Sequence, residues 1–150
     1  MEINPLRTCL QRHRSVALDT SIFIYHVEEN PRYVGLTQLI FSWFERHPAS
    51  AVTSTITLME LLVQPYRDAD ERRINNFLTL LPAFPNISWV APDIEIATIA
   101  AQIRAQHRLQ TPDALQAATA IHRKATLFIT NDPGFERLRN PEILLLDRFL

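Results

Sequence analysis

Short apolar runs alternate with longer amphipathic stretches along this chain. Ser15-Val16-Ala17-Leu18-Asp19 is continuously apolar and closes on an acid, which predicts a short buried strand. Residues 20–27 read as one or two helical turns. Across residues 31–47 apolar side chains recur at Val34, Leu36, Leu39, Ile40, Trp43 and Phe44, the spacing of a helix packed on one side. Residues 51–54 form a second short strand. Thr55 or Thr57 then caps a helix expected to stop near Gln64, where Pro65 withholds its N–H, and Asp68 is expected to cap the next helix. Pro82 and Pro85 mark a connection, and residues 87–90 read as a third strand. Asp93 opens a helix with Ile96, Ile99, Ala100 and Ile103 on one side. Thr111-Pro112 starts another, a cap residue followed by proline, running to Arg123 or Lys124. Residues 126–130 give a fourth strand, 133–138 a short helix and 143–146 a fifth strand. Short, continuously apolar strands separated by helices predict a parallel sheet covered on both faces. Without repeats or linkers, residues 1–150 read as a single α/β domain.

Composition narrows the chemistry. With 47% hydrophobic and 21% charged residues, 150 residues build a core without disulfide or metal, so any metal is expected to be functional rather than structural. Gly35 and Gly134 are the only glycines, which excludes a Walker A loop and a GxGxxG fingerprint. The single cysteine, Cys9, excludes an internal disulfide and a Cys-rich zinc site and fits a reducing compartment. His13, His26, His47, His107 and His122 show no HExxH spacing, which argues against zinc chemistry. Residues 1–15 lack the apolar region of a signal peptide, and no stretch approaches the roughly 18 apolar residues of a membrane span. The expectation is a cytoplasmic protein without a membrane partner.

Ligands of an open parallel sheet bind beyond the carboxyl ends of its strands. The acids expected there are Asp19 after the first strand, Glu60 in the helix after the second, Asp113 at the start of the Thr111-Pro112 helix, and Asp132 after the fourth strand. Each has a plain structural explanation: Asp19 and Asp132 as caps, Glu60 as the end of a Thr57-x-x-Glu60 capping box, Asp113 as a favoured charge in a first helical turn. Yet Glu60 shares a face with Ile56 and Val63, and Asp113 precedes Ala114, Leu115, Ala117 and Ala118, so both point towards packing. Converging buried carboxylates repel one another unless a cation neutralises them. An all-oxygen donor set suits Mg²⁺ or Mn²⁺, ions that activate water and stabilise displacement at phosphorus. Setting those four acids aside leaves 15 basic against 12 acidic residues, a balance of +3, and all the basic residues but Lys124 are arginines. A mildly basic, arginine-dotted body around an acidic pocket suits a polyanionic substrate.

At these residues the sequence resembles the PIN-domain nucleases, and among them the VapC-type toxins of bacterial toxin–antitoxin pairs. The matching pieces are Ala17-Leu18-Asp19-Thr20-Ser21, Ser54-Thr55-Ile56-Thr57-Leu58-Met59-Glu60-Leu61, residues 111–120 from Thr111-Pro112-Asp113 onward, and Thr130-Asn131-Asp132-Pro133-Gly134-Phe135. They stand in family order, with 41, 53 and 19 residues between successive acids. The resemblance implies a three-layer α/β/α sandwich on a parallel five-stranded sheet. It implies one or two Mg²⁺ or Mn²⁺ ions and endonucleolytic cutting of RNA. Asp19 and Asp113 would be direct metal ligands, with Glu60 and Asp132 acting through water or on a second ion, and Thr130 and Asn131 supporting them. A small antitoxin protein and a homodimer are the partners implied. Residues 1–14 depart from the pattern, since the first strand of the family usually lies almost at the N-terminus. This arginine-bearing extension is open to reading as an RNA contact, a partner contact or a misassigned start.

Other readings fit less well. An aspartyl-phosphate phosphatase needs a second aspartate two residues after the first, where Ser21 stands, and a receiver domain needs a lysine after a late strand, whereas Lys124 precedes the fourth. A catalytically silent binding module and an RNA-processing nuclease without an antitoxin remain as alternatives.

Overall fold

The computed structural model describes residues 3–48 and 50–150. In chain order it comprises α1 (Ile3–Gln11), β1 (Val16–Leu18), α2 (Thr20–Val27), α3 (Val34–Glu45), β2 (Ala51–Ser54), α4 (Thr55–Arg67), α5 (Glu71–Leu80), β3 (Ile87–Val90), α6 (Ile94–Gln106), α7 (Thr111–His122), β4 (Leu127–Thr130) and β5 (Glu142–Leu145). Two 3-10 turns, Pro133–Arg137 and Leu146–Phe149, flank β5. The five strands form one parallel sheet in the order β3-β2-β1-β4-β5.

Side chains alternate across a strand, so each strand feeds both faces. Val16 and Leu18 of β1, with Leu127 and Ile129 of β4, join a core beneath α1–α4 that includes Leu36, Ile40 and Phe44 of α3. Ala17 and Phe128 point the other way, into a second core with Ile96, Ala100 and Ile103 of α6 and Ala114, Ala117 and Ala118 of α7. Short alanine side chains let α6 and α7 approach each other and the sheet closely. The result is the expected α/β/α sandwich with a five-stranded parallel sheet. Among the described residues no helix is long and apolar enough to cross a membrane.

Four local expectations are corrected. Pro65 does not stop α4; the helix continues to Arg67 with Pro65 buried, because packing offsets the one bond proline cannot donate. Asp68 is the C-cap of α4, and Asp70 caps α5 by accepting from Arg73 N. Ser54, rather than Thr55 or Thr57, caps α4 through Ile56 N. Gln110 is the N-cap residue of α7, without a side-chain bond, which places Thr111 and Pro112 inside the first turn. An element with no sequence expectation also appears. Residues 3–11 form α1, which buries Leu6, Cys9 and Leu10 and lies against α3 and the 146–149 turn.

Candidate active site

The chain leaves β1 for β2 and β3 on one side and returns to β4 on the other. The space beyond the carboxyl ends of β1 and β4 is therefore the switch point at which such sheets bind ligands. Register decides which residues stand there. Leu18 pairs with Ile129, and Asp19 N donates to the Ile129 carbonyl at 3.0 Å, so Asp19 and Thr130 emerge side by side. Thr130 Oγ1 donates to Asp19 Oδ2 at 2.7 Å, and Thr20 N donates to Oδ1 at 2.8 Å. Asp132 follows at once, its N–H donating to Thr130 Oγ1 at 3.1 Å. Its own Oδ1 accepts from Gly134 N at 2.8 Å, closing the turn, while the residue stays exposed. Asp19 and Asp132 are thus caps and rim residues at the same time.

Glu60 is not the capping-box residue of α4. Its Oε1 accepts from Thr20 Oγ1 of α2 at 2.7 Å, a bond between helices rather than within one. Asp113, the third residue of α7, is half-buried. Electrostatics link the four. Burial, joined by the charges of Asp113 and Glu60, pushes the Asp19 carboxyl up to about 6, against the lowering pull of the bonds from Thr130 and Thr20. Asp113 is raised by burial first, then by the charges of Asp132 and Glu60. No basic side chain answers this charge: among the described residues every ion pair lies elsewhere.

A buried polar chain supports the rim, and its key member was not singled out from sequence. Gln116 is 2% exposed, and its Nε2 donates to Thr57 Oγ1 at 2.7 Å and to Thr20 Oγ1 at 3.2 Å. Thr53 Oγ1 donates to the Leu18 carbonyl at 3.0 Å, which leaves its oxygen to accept from Thr57, 2.8 Å away. One proton arrangement satisfies every member: Gln116 donates to Thr57 and Thr20, Thr57 to Thr53, Thr53 to Leu18, and Thr20 to Glu60. The signal was present, since Gln116 stands three residues after Asp113, on the same helix face, among alanines. Asn131 takes another direction. Its Nδ2 donates to Tyr25 Oη at 3.2 Å, and its Oδ1 accepts from Asp147 N at 2.9 Å. It ties the turn after β4 to α2 and the C-terminal turn rather than to the carboxylates.

The donor set is all oxygen, partly buried and without a counter-charge, which fits a hard divalent cation. The acids are spread more widely than a closed cage. The only three Cys, His or acidic ligand atoms lying within 4.8 Å of one another, among the described residues, belong to Cys9, His13 and Glu142, away from this rim. Open spacing suits Mg²⁺ or Mn²⁺, which retain several waters when bound.

The family model described as the PIN domain matches residues 16–141. No curated protein matches the chain. Among solved structures, the fold is similar to that of VapBC2 from Rickettsia felis bound to a DNA fragment from its promoter, with a TM-score of 0.66 and 18% identity over 87% of this chain and 97% of that one. It is similar to VapBC-1 from nontypeable Haemophilus influenzae, with a TM-score of 0.65 and 20% identity over 88% and 98% of the two chains. A third is VapC20 from Mycobacterium tuberculosis, a sarcin-ricin loop cleaving toxin, with a TM-score of 0.65 and 15% identity over 82% and 94%. At these identities the likeness is one of fold. The family match is one of sequence, and it runs from the first residue of β1 to the residue before β5, taking in all four acids: the chain belongs to the PIN-domain family.

Proposed function

We propose that this protein is a divalent-metal-dependent endoribonuclease acting as the toxin of a toxin–antitoxin pair. The observation that carries the reading is the placement of Asp19, Glu60, Asp113 and Asp132 on one rim with no basic side chain paired to them among the described residues, Asp19 and Asp113 shifted upwards by burial first and then by the charges of other acids of the group. Asp19 and Asp113 would hold Mg²⁺ or Mn²⁺ directly, with Glu60 and Asp132 contributing through water or a second ion. When bound, the metal supplies Lewis acidity that activates water and offsets negative charge on the phosphate. The chain's own residues do the positioning. Thr130 and Thr20 N hold the two Asp19 oxygens at fixed angles, and Gln116 fixes Thr20, which orients Glu60.

RNA is the favoured substrate because the body outside the rim is arginine-dotted and mildly basic. The protein partners follow from the surface and from the company the fold keeps. Met59, Val63 and Tyr66 leave apolar side chains exposed on α4, and Phe77, Leu80 and Phe84 line a cleft of about 560 Å³ beside α5. Exposed apolar surface of this kind marks interaction sites. One solved neighbour of the fold is a toxin–antitoxin complex, and another is a member of the VapBC family of toxin–antitoxin systems. A small antitoxin and a second copy of the chain are the partners proposed.

The test is cleavage of a mixed RNA pool with Mg²⁺ or Mn²⁺, repeated with chelator and with Asp113→Asn. Cutting that needs the metal and disappears in the variant is expected. Cutting by the variant at the wild-type rate would remove Asp113 from the site, and cutting that survives chelation would remove the metal from the reaction.

A further inference from the structure

Away from the acidic rim, a second group of metal-ligating atoms comes together where α1 meets the edge of the sheet. Cys9 near the end of α1, His13 just beyond it and Glu142 at the start of β5 bring a thiol, an imidazole nitrogen and a carboxylate oxygen within 4.8 Å of one another. Cys9 is buried, and the His13 side chain is 9% exposed.

The hydrogen bonds around His13 accommodate a tautomer in which Nε2 faces the cluster bare. Thr126 Oγ1 donates to the Ser15 carbonyl at 3.4 Å, and it lies 2.8 Å from His13 Nδ1. With the threonine proton directed to the Ser15 carbonyl, which also accepts from Thr126 N, the Thr126 oxygen is free to accept from Nδ1–H. The ring then carries its hydrogen on Nδ1 and presents a lone pair at Nε2, the arrangement that outer hydrogen bonds impose on metal-binding histidines. Nε2 is buried without a hydrogen-bond partner, although Glu142 Oε2 lies 3.2 Å away. In that tautomer two lone pairs face one another at that distance, an arrangement that a cation between them stabilises. In a tetrahedral zinc site, bonds of about 2.0–2.2 Å to nitrogen and oxygen place those two atoms about 3.4 Å apart. The observed spacing is close to that edge.

We propose that Cys9 Sγ, His13 Nε2 and a Glu142 carboxylate oxygen form a Zn²⁺ site distinct from the nuclease rim. A cleft of about 250 Å³ is lined in part by Cys9, Arg12 and Glu142, and His13 lines a separate one, so solvent space lies beside the ligands on two sides. Sulfur and imidazole donors select zinc over the hard ions suited to the four carboxylates. Binding deprotonates Cys9 and ties α1 to β5, so the ion acts on the attachment of the N-terminal helix rather than on catalysis.

The test is a Co²⁺ titration of the full chain in the presence of a non-thiol reductant. A thiolate ligand gives Co²⁺ an intense charge-transfer band that an all-oxygen site cannot produce, so Co²⁺ at the acidic rim does not interfere. One equivalent generating that band, bleached by one equivalent of Zn²⁺, is expected. The band should vanish in Cys9→Ser. Glu142→Gln alters a side chain that is 55% exposed, so it preserves the fold, and it should weaken Co²⁺ binding by about tenfold or more. It should also reduce the rise in melting temperature with Zn²⁺ and leave RNA cleavage unchanged. Co²⁺ bound without a thiolate band, or an affinity indifferent to Glu142→Gln, overturns the site.

Discussion

Each oxygen of Asp19 has its own partner, Thr20 N on one and Thr130 Oγ1 on the other, and still the carboxyl is held up at about 6. Burial therefore outweighs two good bonds. The consequence for stability follows from linkage. The folded value lies above the ordinary 3.8, so the folded state holds its proton over a range where the unfolded chain has lost it. The stabilisation is full below about pH 4 and is lost as pH rises through about 6, an effect of at most about 3 kcal/mol. Asp19→Asn, which cannot ionise, escapes that loss. The metal-free variant should melt above wild type at pH 7–8, the gap closing on acidification towards pH 4, while metal-dependent cleavage is abolished. Thermal melts of both proteins across that range check this, and a gap that does not change with pH would mean Asp19 titrates normally. At this scale the sequence was informative where a residue's type restricts its use: an acid ending a buried strand has few purposes. It was less informative for Gln116, whose part depends on threonines from β2, α2 and α4 that only the fold assembles.

Elements that bury a continuous apolar run were legible; elements defined by what covers them were not. The five strands stand within a residue or so of their expected places, because short runs such as Leu127–Thr130 have no other way to be buried on both faces. Helix α1 was missed because its apolar residues, Leu6, Cys9 and Leu10, are few and lie among Asn4, Pro5, Arg7 and Gln11. Three buried residues suffice only because α3 and the C-terminal turn are there to receive them. The same blindness hid the Cys9–His13–Glu142 cluster. Spacing rules scan neighbours, and Glu142 lies 129 residues after His13. As α1 lies outside the matched family region, its share in stability is a separate question. Leu10 is fully buried, so Leu10→Ala should cost about 3 kcal/mol in urea unfolding, the usual toll of truncating a packed leucine. A cost below about 0.5 kcal/mol, the range of surface changes, would make α1 an appendage rather than part of the core.

Over the whole molecule, charge is sorted rather than balanced. A net of −1 hides four acids gathered at one rim and a remainder of +3 in which 14 of 15 basic residues are arginines. Neutralising the rim with divalent cations would turn the molecule's net charge positive, which favours a polyanion such as RNA. Contacts of this kind release counterions, so the binding they produce must weaken with salt. Asp113→Asn, expected to bind RNA without cutting it, isolates binding from cleavage. If about three phosphates are neutralised, affinity for single-stranded RNA should fall about 20-fold between roughly 50 and 200 mM salt. Fluorescence anisotropy with a labelled strand measures it. A flat response would assign recognition to base stacking or to shape, and the arginines would then be solvated surface with no part in holding the substrate.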